Sequence, residues 1–269
     1  MTLPRSPSFR LDGKRALVTG AGRGLGLAAA TALAEHGAHV VLAARSKDEI
    51  EAAAAEIRAA GGSADALQLD VLDVKAAKSA LAALPAFDIL VNNAGTNRPG
   101  PFADVSEDDY DFVFDLNVRA AFFLAQTVAS RLLAEKRPGS IINMSSQMGH
   151  VGAKNRTIYC ASKHAIEGLT KAMAVELGSA GIRVNSICPT FIETPLTEPY
   201  FADETFKKDV LGKIKLGRVG QVEEVGDFAK QFGLGRRLGQ PPVERLDRVA
   251  LRLVEQAAAV ATLRNGQLH

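Results

Sequence analysis

The sequence predicts an α/β fold, a doubly wound parallel β-sheet with helices on both faces. Two observations carry this. From Lys14 onward, short apolar runs alternate with longer segments of helical period. The apolar runs also lack polar alternation, which marks strands covered on both faces, as in parallel sheets. Repeated strand–helix–strand units of that kind wind into such a sheet.

The elements follow in order. A first strand covers 16–18 and a helix covers 25–36, closed by Gly37, a residue suited to a helix C-terminus. A second strand at 39–43 leads to a helix over 47–60, closed by Gly61 and Gly62. Strands at 66–69 and 89–91 flank a helical stretch at 74–84. The stretch 107–135 keeps helical period throughout, enough for two helices or one bent one. Strands at 140–143 and 183–187 flank a helix over 159–177. No repeat, low-complexity tract or linker interrupts the order. Residues 13–225 therefore read as one domain, after an extension of residues 1–12.

A chain of 269 residues buries a sizeable core without covalent staples. Its net charge of +2 gives no reason to expect nucleic acid or an anionic membrane as partner. No apolar run approaches the roughly 18 residues of a spanning helix, so no membrane partner is expected. The N-terminus lacks the apolar stretch of a secretion signal, and cytoplasm is the expected compartment. Cys160 and Cys188 match no metal pattern and read as reduced thiols, so no metal site is expected.

A glycine-rich turn joins the first strand to the first helix: Thr19, Gly20, Ala21, Gly22, Arg23, Gly24, Leu25, Gly26. Glycines allow positive φ and let backbone N–H groups approach a pyrophosphate, which a helix N-terminus also attracts. The spacing is T-G-x-x-x-G-x-G, not the G-x-G-x-x-G dinucleotide fingerprint. Further along, Tyr159 and Lys163 stand four apart on a predicted helix and share one face. Ser146 precedes them just after a strand, Asn117 lies on the long helical stretch, and Asn92-Asn93-Ala94-Gly95 follows the fourth strand.

In type, order and spacing, these residues resemble the short-chain dehydrogenase/reductase family, over about 14–225. The resemblance implies a Rossmann-type sheet and an enzyme interconverting a carbonyl and an alcohol with a nicotinamide cofactor. It implies that Asn117, Ser146, Tyr159 and Lys163 are the catalytic tetrad, with Tyr159 and Lys163 also touching cofactor. It places Gly20, Arg23, Gly24, Leu25 and Gly26 against the pyrophosphate. Asp70 and Val71, with Asn93, Ala94 and Gly95, fall on the adenine and ribose side. Pro189, Ile192 and Thr194 fall near the carboxamide, although Thr190 stands where the family has glycine.

The chemistry needs these types. A ketone receiving hydride develops negative charge on oxygen, so a proton donor must be in reach. An unperturbed phenol has a pKa of about 10, and a nearby ammonium favours phenolate, so Lys163 is expected to lower the pKa of Tyr159. Ser146 is placed to donate to the substrate oxygen. Asn117, by resemblance, positions a water that links the lysine to solvent.

Cofactor choice turns on charge at the end of the second strand. A carboxylate there accepts from a ribose 2′-OH and repels a 2′-phosphate. This chain has Ala44-Arg45 instead, and Arg23 supplies a second positive charge. NADP(H) is therefore expected as the preferred cofactor, with NAD(H) still open. Gln147 and His150, beside Ser146, are candidate substrate contacts, and Arg98 is a candidate for an anionic group on it. The segment 194–212 resembles a cover over the substrate, with Tyr200, Phe201 and Phe206 as its aromatic lining. A carbohydrate or polyol oxidoreductase and a 3-oxoacyl reductase both remain compatible.

After Val225 the family pattern stops, and residues 226–269 form an atypical tail. Leu246, Val249, Ala250, Leu253, Ala257 and Val260 give an apolar stripe that predicts a helix within 242–263. Two origins are open: a reading-frame change near 230–232, or a divergent tail. On either, no final strand is predicted, which puts in doubt the homodimer or homotetramer that the family suggests. A nucleotide-binding scaffold with impaired or no catalysis is the alternative reading.

Overall fold

The computed structural model describes residues 10–233 apart from Leu196. The extension before Arg10, the helix expected within 242–263 and the question of a last strand lie outside the described residues. The elements are β1 (Arg15–Thr19), α1 (Gly24–Glu35), β2 (His39–Ala44), α2 (Lys47–Ala59) and β3 (Ser63–Gln68). There follow α3 (Val74–Ala82), β4 (Ile89–Asn92), α4 (Glu107–Phe114), α5 (Ala120–Ala134) and β5 (Gly139–Met144). The last are α6 (Thr157–Leu177), β6 (Ile182–Ile187), α7 (Glu198–Phe201), α8 (Glu204–Lys213) and α9 (Val222–Gly233).

The six strands lie in the order β3-β2-β1-β4-β5-β6, all parallel. This is the doubly wound sheet that the unalternated apolar runs predict. Leu17, Leu90, Ile141 and Ile182, one from each of four strands, are almost fully buried. The strand order reverses between β1 and β4, and ligands bind such sheets outside the carboxyl ends at that point. Everything the site needs starts there.

Two elements depart from the sequence reading, and the choice left open over 107–135 is resolved as two joined helices. β3 begins at Ser63 rather than 66, because this edge strand interleaves Ser63 and Asp65 with alanines and shows mostly exposed positions. The 107–135 stretch is α4 and α5 joined by a π-helical segment, Asp115–Arg119, in which Ala120 N–H donates to Asp115 O. Ser106 caps its start by accepting from Asp109 N–H at 3.1 Å, with Glu107, Asp108 and Asp109 in the first turn. This helical run, Glu107–Ala134, is long and apolar enough by composition to cross a membrane, contrary to the reading of apolar runs alone. Its apolar face is accounted for by the core, where Leu124, Ala125, Val128 and Leu132 are buried.

The second departure is α9, which runs through the boundary expected at 225. It lies on α1, where a Cβ on Gly226 would come within 2.8 Å of Ala28 O. Ser140 Oγ of β5 also donates to Phe232 O at 2.6 Å. The described chain forms two compact units rather than one. The larger holds the sheet, α1–α6 and α9; the smaller is Thr190–Gln221, with α7 and α8.

Candidate active site

The turn after β1 is held from the end of β4. Thr19 Oγ1 accepts from the N–H groups of Asn93 and Ala94, each at 3.1 Å. Asn93 Nδ2 donates to Thr19 O and Gly20 O at 3.0 and 3.1 Å. The Asn93 amide is thus committed to shaping the turn. Gly20 and Gly24 take φ of +63° and +57°, where a side chain is strained. A Cβ on Gly26 would overlap the Gly20 carbonyl, so only glycine lets the helix start so close to the turn. Arg23, at the N-cap of α1, makes no side-chain cap, so the first N–H groups are left to a ligand. This cradle fits an anionic group such as a pyrophosphate.

Around it, the expected contacts fall as follows. Leu25 sits in the first turn of α1, half-buried, and Arg23 is exposed. Arg45 is exposed at the end of β2, its carbonyl accepting from Gln68 Nε2 at 3.1 Å. Glu49 of α2 lies against Gly22, an acidic neighbour of the turn that the sequence reading did not weigh. Asp70 follows β3 with its carboxylate accepting from Leu72 N–H at 3.0 Å, and Val71 is buried behind it. Gly95 backs onto Asn117, whose Oδ1 would lie 3.1 Å from a Cβ there.

The four tetrad residues come together in the larger unit. Asn117 sits inside the π segment, buried, and clasps the backbone of Thr96: Oδ1 accepts from Thr96 N–H at 2.8 Å and Nδ2 donates to Thr96 O at 2.9 Å. The same Nδ2 donates to Ser162 Oγ at 3.0 Å, and Ser162 donates to Tyr159 O at 2.8 Å. A direct chain therefore runs from Asn117 to the backbone of Tyr159. The side chain of Asn117 thus braces the loop after β4 against α6. Ser162 was not singled out in the sequence, having no chemistry-specific spacing, and Thr96 was read only as part of a substrate-facing stretch, 96–98.

Tyr159 is half-buried on α6, and its hydroxyl lies near the Ser146 side chain, which favours release of the phenolic proton. Ser146 Oγ also accepts from Met148 N–H at 3.2 Å. Lys163, one turn on, is buried, with Nζ donating to Met144 O at 2.7 Å and lying 5.5 Å from the Tyr159 ring centroid. The expectation that Lys163 lowers the phenol pKa is corrected here. Burial raises the pKa of Tyr159, and the partial offsets come from the Ser146 hydroxyl and the Arg156 guanidinium. The ammonium is turned toward the end of β5 instead, and burial brings its own pKa down to about 8.

Pro189 O accepts from Gln147 N–H at 2.9 Å, fixing the short turn Gln147–Gly149 beside Ser146. Ile192 and Thr194 belong to the smaller unit. There Ile192 bridges to Gly220, and Thr194 Oγ1 lies 3.0 Å from Thr197 Oγ1. Thr190 does not take the positive φ of a glycine; among described non-glycine residues only Lys136 and Asn155 do. Phe191, Phe201 and Phe206 cluster with ring centroids 5.8–6.2 Å apart within that unit. Arg98 is ion-paired with Asp109 and lies 4.2 Å over the Phe112 ring.

One grouping escaped the sequence reading. His150, Glu167 and Cys188 meet on the inner side of the Gln147–Gly149 turn, from three separate elements. Burial and the Glu167 carboxylate push the Cys188 thiol up to about 12. No local spacing in the sequence announces this group.

Residues 14–205 match the sequence model of the short chain dehydrogenases. The chain belongs to the short-chain dehydrogenase family. Members similar to it include the L-xylulose reductase of Bos taurus, 40% identical over 81% of this chain and 88% of that one. The gluconate 5-dehydrogenase of Gluconobacter oxydans is 38% identical, over 81% and 86%. Among solved structures, a gluconate 5-dehydrogenase from Burkholderia cenocepacia in complex with NADP and tartrate superposes with TM-score 0.81 at 35% identity, covering 84% of this chain and 90% of that one. A short-chain type dehydrogenase/reductase from Mycobacterium marinum gives 0.79 at 37%, over 84% and 91%. As a family member the chain is an oxidoreductase acting on CH–OH groups.

Proposed function

We propose that this short-chain dehydrogenase interconverts a ketone and a secondary alcohol on a sugar, polyol or sugar acid, using NADP(H). The observation that carries the reading is the placing of buried Lys163 one helical turn from Tyr159, its ammonium 5.5 Å from the ring centroid, with Ser146 near the phenol. NADP(H), when bound, supplies or takes up the hydride. The glycine turn and the start of α1 would hold its pyrophosphate, and Arg23 and Arg45 its 2′-phosphate. Tyr159 gives its phenolic proton to the substrate oxygen during reduction and takes one back during oxidation. Ser146 donates a hydrogen bond to the same oxygen as negative charge develops there. Lys163, held by Met144 O, supplies a nearby ammonium and a proton reservoir, and Asn117 braces α6 through Ser162. Gln147 and His150 line the substrate side.

The substrate class rests on the similar proteins, which include an L-xylulose reductase, a gluconate 5-dehydrogenase and a D-erythrulose reductase. The test is NADPH consumption, followed by absorbance, over ketoses, keto-sugar acids and a 3-oxoacyl thioester. Turnover is expected on the first two groups. Turnover on the thioester alone would overturn the substrate class, and folded protein that binds NADPH yet reduces nothing would favour the scaffold reading.

A further inference from the structure

A second polar group lies one turn along α6 from Lys163. Glu167 is one turn beyond Lys163 on α6 and only 7% exposed. Cys188 Sγ, just past β6, lies 3.3 Å from its Oε1. His150 Nε2, after the Gln147–Gly149 turn, lies 3.6 Å from its Oε2. Imidazole nitrogen and thiol sulfur are 3.4 Å apart. A zinc ion binds N, O and S donors at about 2.0–2.3 Å, and tetrahedral angles then set those donors about 3.3–3.6 Å from one another. Here the thiol approaches Oε1 and the imidazole Oε2, and one donor atom from each of the three residues lies within 4.8 Å of the others, close enough for small side-chain adjustments to gather them around an ion.

The surroundings are those of a built site. Ser186 Oγ donates to Glu167 Oε2 at 3.1 Å, orienting the carboxylate as outer partners of metal ligands do. Ser145, 3% exposed, sits beside the thiol with its Oγ lacking a hydrogen bond of ordinary geometry. Among the described residues, His150 is the only ion-pair partner of the Glu167 carboxylate. The Lys163 ammonium one turn away acts on Glu167 at longer range without forming an ion pair, and the carboxylate face toward His150 and Cys188 suits a cation. One thiolate and one carboxylate balance a divalent charge, and a Cys, His and carboxylate set suits zinc better than magnesium or calcium.

We propose that His150 Nε2, the Glu167 carboxylate and Cys188 Sγ form a Zn²⁺ site with its fourth position open to solvent on the His150 side. On binding, the thiol proton leaves to bulk water and the sulfur lone pair it frees makes the S–Zn bond. No electron changes hands. The ion ties the turn after Ser146 to α6 and β6, and none of its three ligands takes part in proton transfer at Tyr159.

The test uses untagged, full-length protein stripped with a chelator and titrated with Co²⁺, whose thiolate charge-transfer band reports a Co–S bond directly. Binding of one equivalent with that band is expected, as is its displacement by Zn²⁺. Cys188→Ser should abolish the band and Cys160→Ser should keep it. His150→Ala, on an exposed loop, should weaken Co²⁺ binding by about tenfold or more, even if Cys188→Ser fails to fold. Stripped wild type without the band, a band surviving Cys188→Ser, or unchanged affinity in His150→Ala would overturn the site. The readout needs no substrate, so it stands or falls separately from the proposed reaction.

Discussion

Tyr159 feels opposing influences: burial holds its proton on, while Ser146 and Arg156 favour its release. Burial is the larger, so ketone reduction, which needs the neutral phenol, should stay level with pH up to at least the ordinary phenol range of about 10. Alcohol oxidation, which needs phenolate, should rise with pH throughout. Profiles of kcat/KM in both directions check this. A reduction limb falling near pH 8 would instead report Lys163, whose pKa burial brings to about 8. Tyr159→Phe should cut ketone reduction by about 10²–10⁴-fold with NADPH affinity, read by fluorescence titration, little changed. Arg45→Asp should shift the ratio of NADPH to NADH efficiency toward NADH; an unchanged ratio would remove Arg45 from the 2′-phosphate. Tyr159, Lys163 and Ser146 were legible because their chemistry demands particular residue types at local spacing. Ser162 and the His150–Glu167–Cys188 group were not, because they meet their partners only through tertiary structure.

Among the elements, buried strands and glycine-closed helices could be read directly, since their signals are local. The edge strand β3 was read short because Ser63 and Asp65 break its apolar run, although both pair with β2. The π segment could not be placed within the 107–135 pattern, because no glycine or proline marks it. α9 was cut at 225 because its continuation departs from the family sequence, while its packing on α1 persists to Gly233. That packing depends on Gly226. Gly226→Ala should destabilise the protein by about 1–3 kcal/mol in urea unfolding, as overpacking does, because Ala28 O is backbone and cannot step aside. A change near zero would mean that α9 contributes little to the folded state.

For the whole molecule, the parallel sheet and its switch point between β1 and β4 place the glycine turn and the end of β5 on one edge. A cofactor bound there stabilises the folded chain by mass action. NADPH at a hundredfold excess over its dissociation constant should add about 2.7 kcal/mol, a rise of several degrees in Tm by scanning fluorimetry. Arg45→Asp should lose most of that rise with NADPH. The sheet was legible from the sequence; its division into two units was not, because Thr190–Gln221 carries no linker-like composition. The most direct check on the central claim follows an isotope. With a reducible ketose and NADPH carrying deuterium at both C4 positions, the alcohol formed by wild type should hold one deuterium on its carbinol carbon, and Tyr159→Phe should form almost none of it. Unlabelled alcohol from the wild type, or labelled alcohol formed at an undiminished rate by Tyr159→Phe, would contradict it.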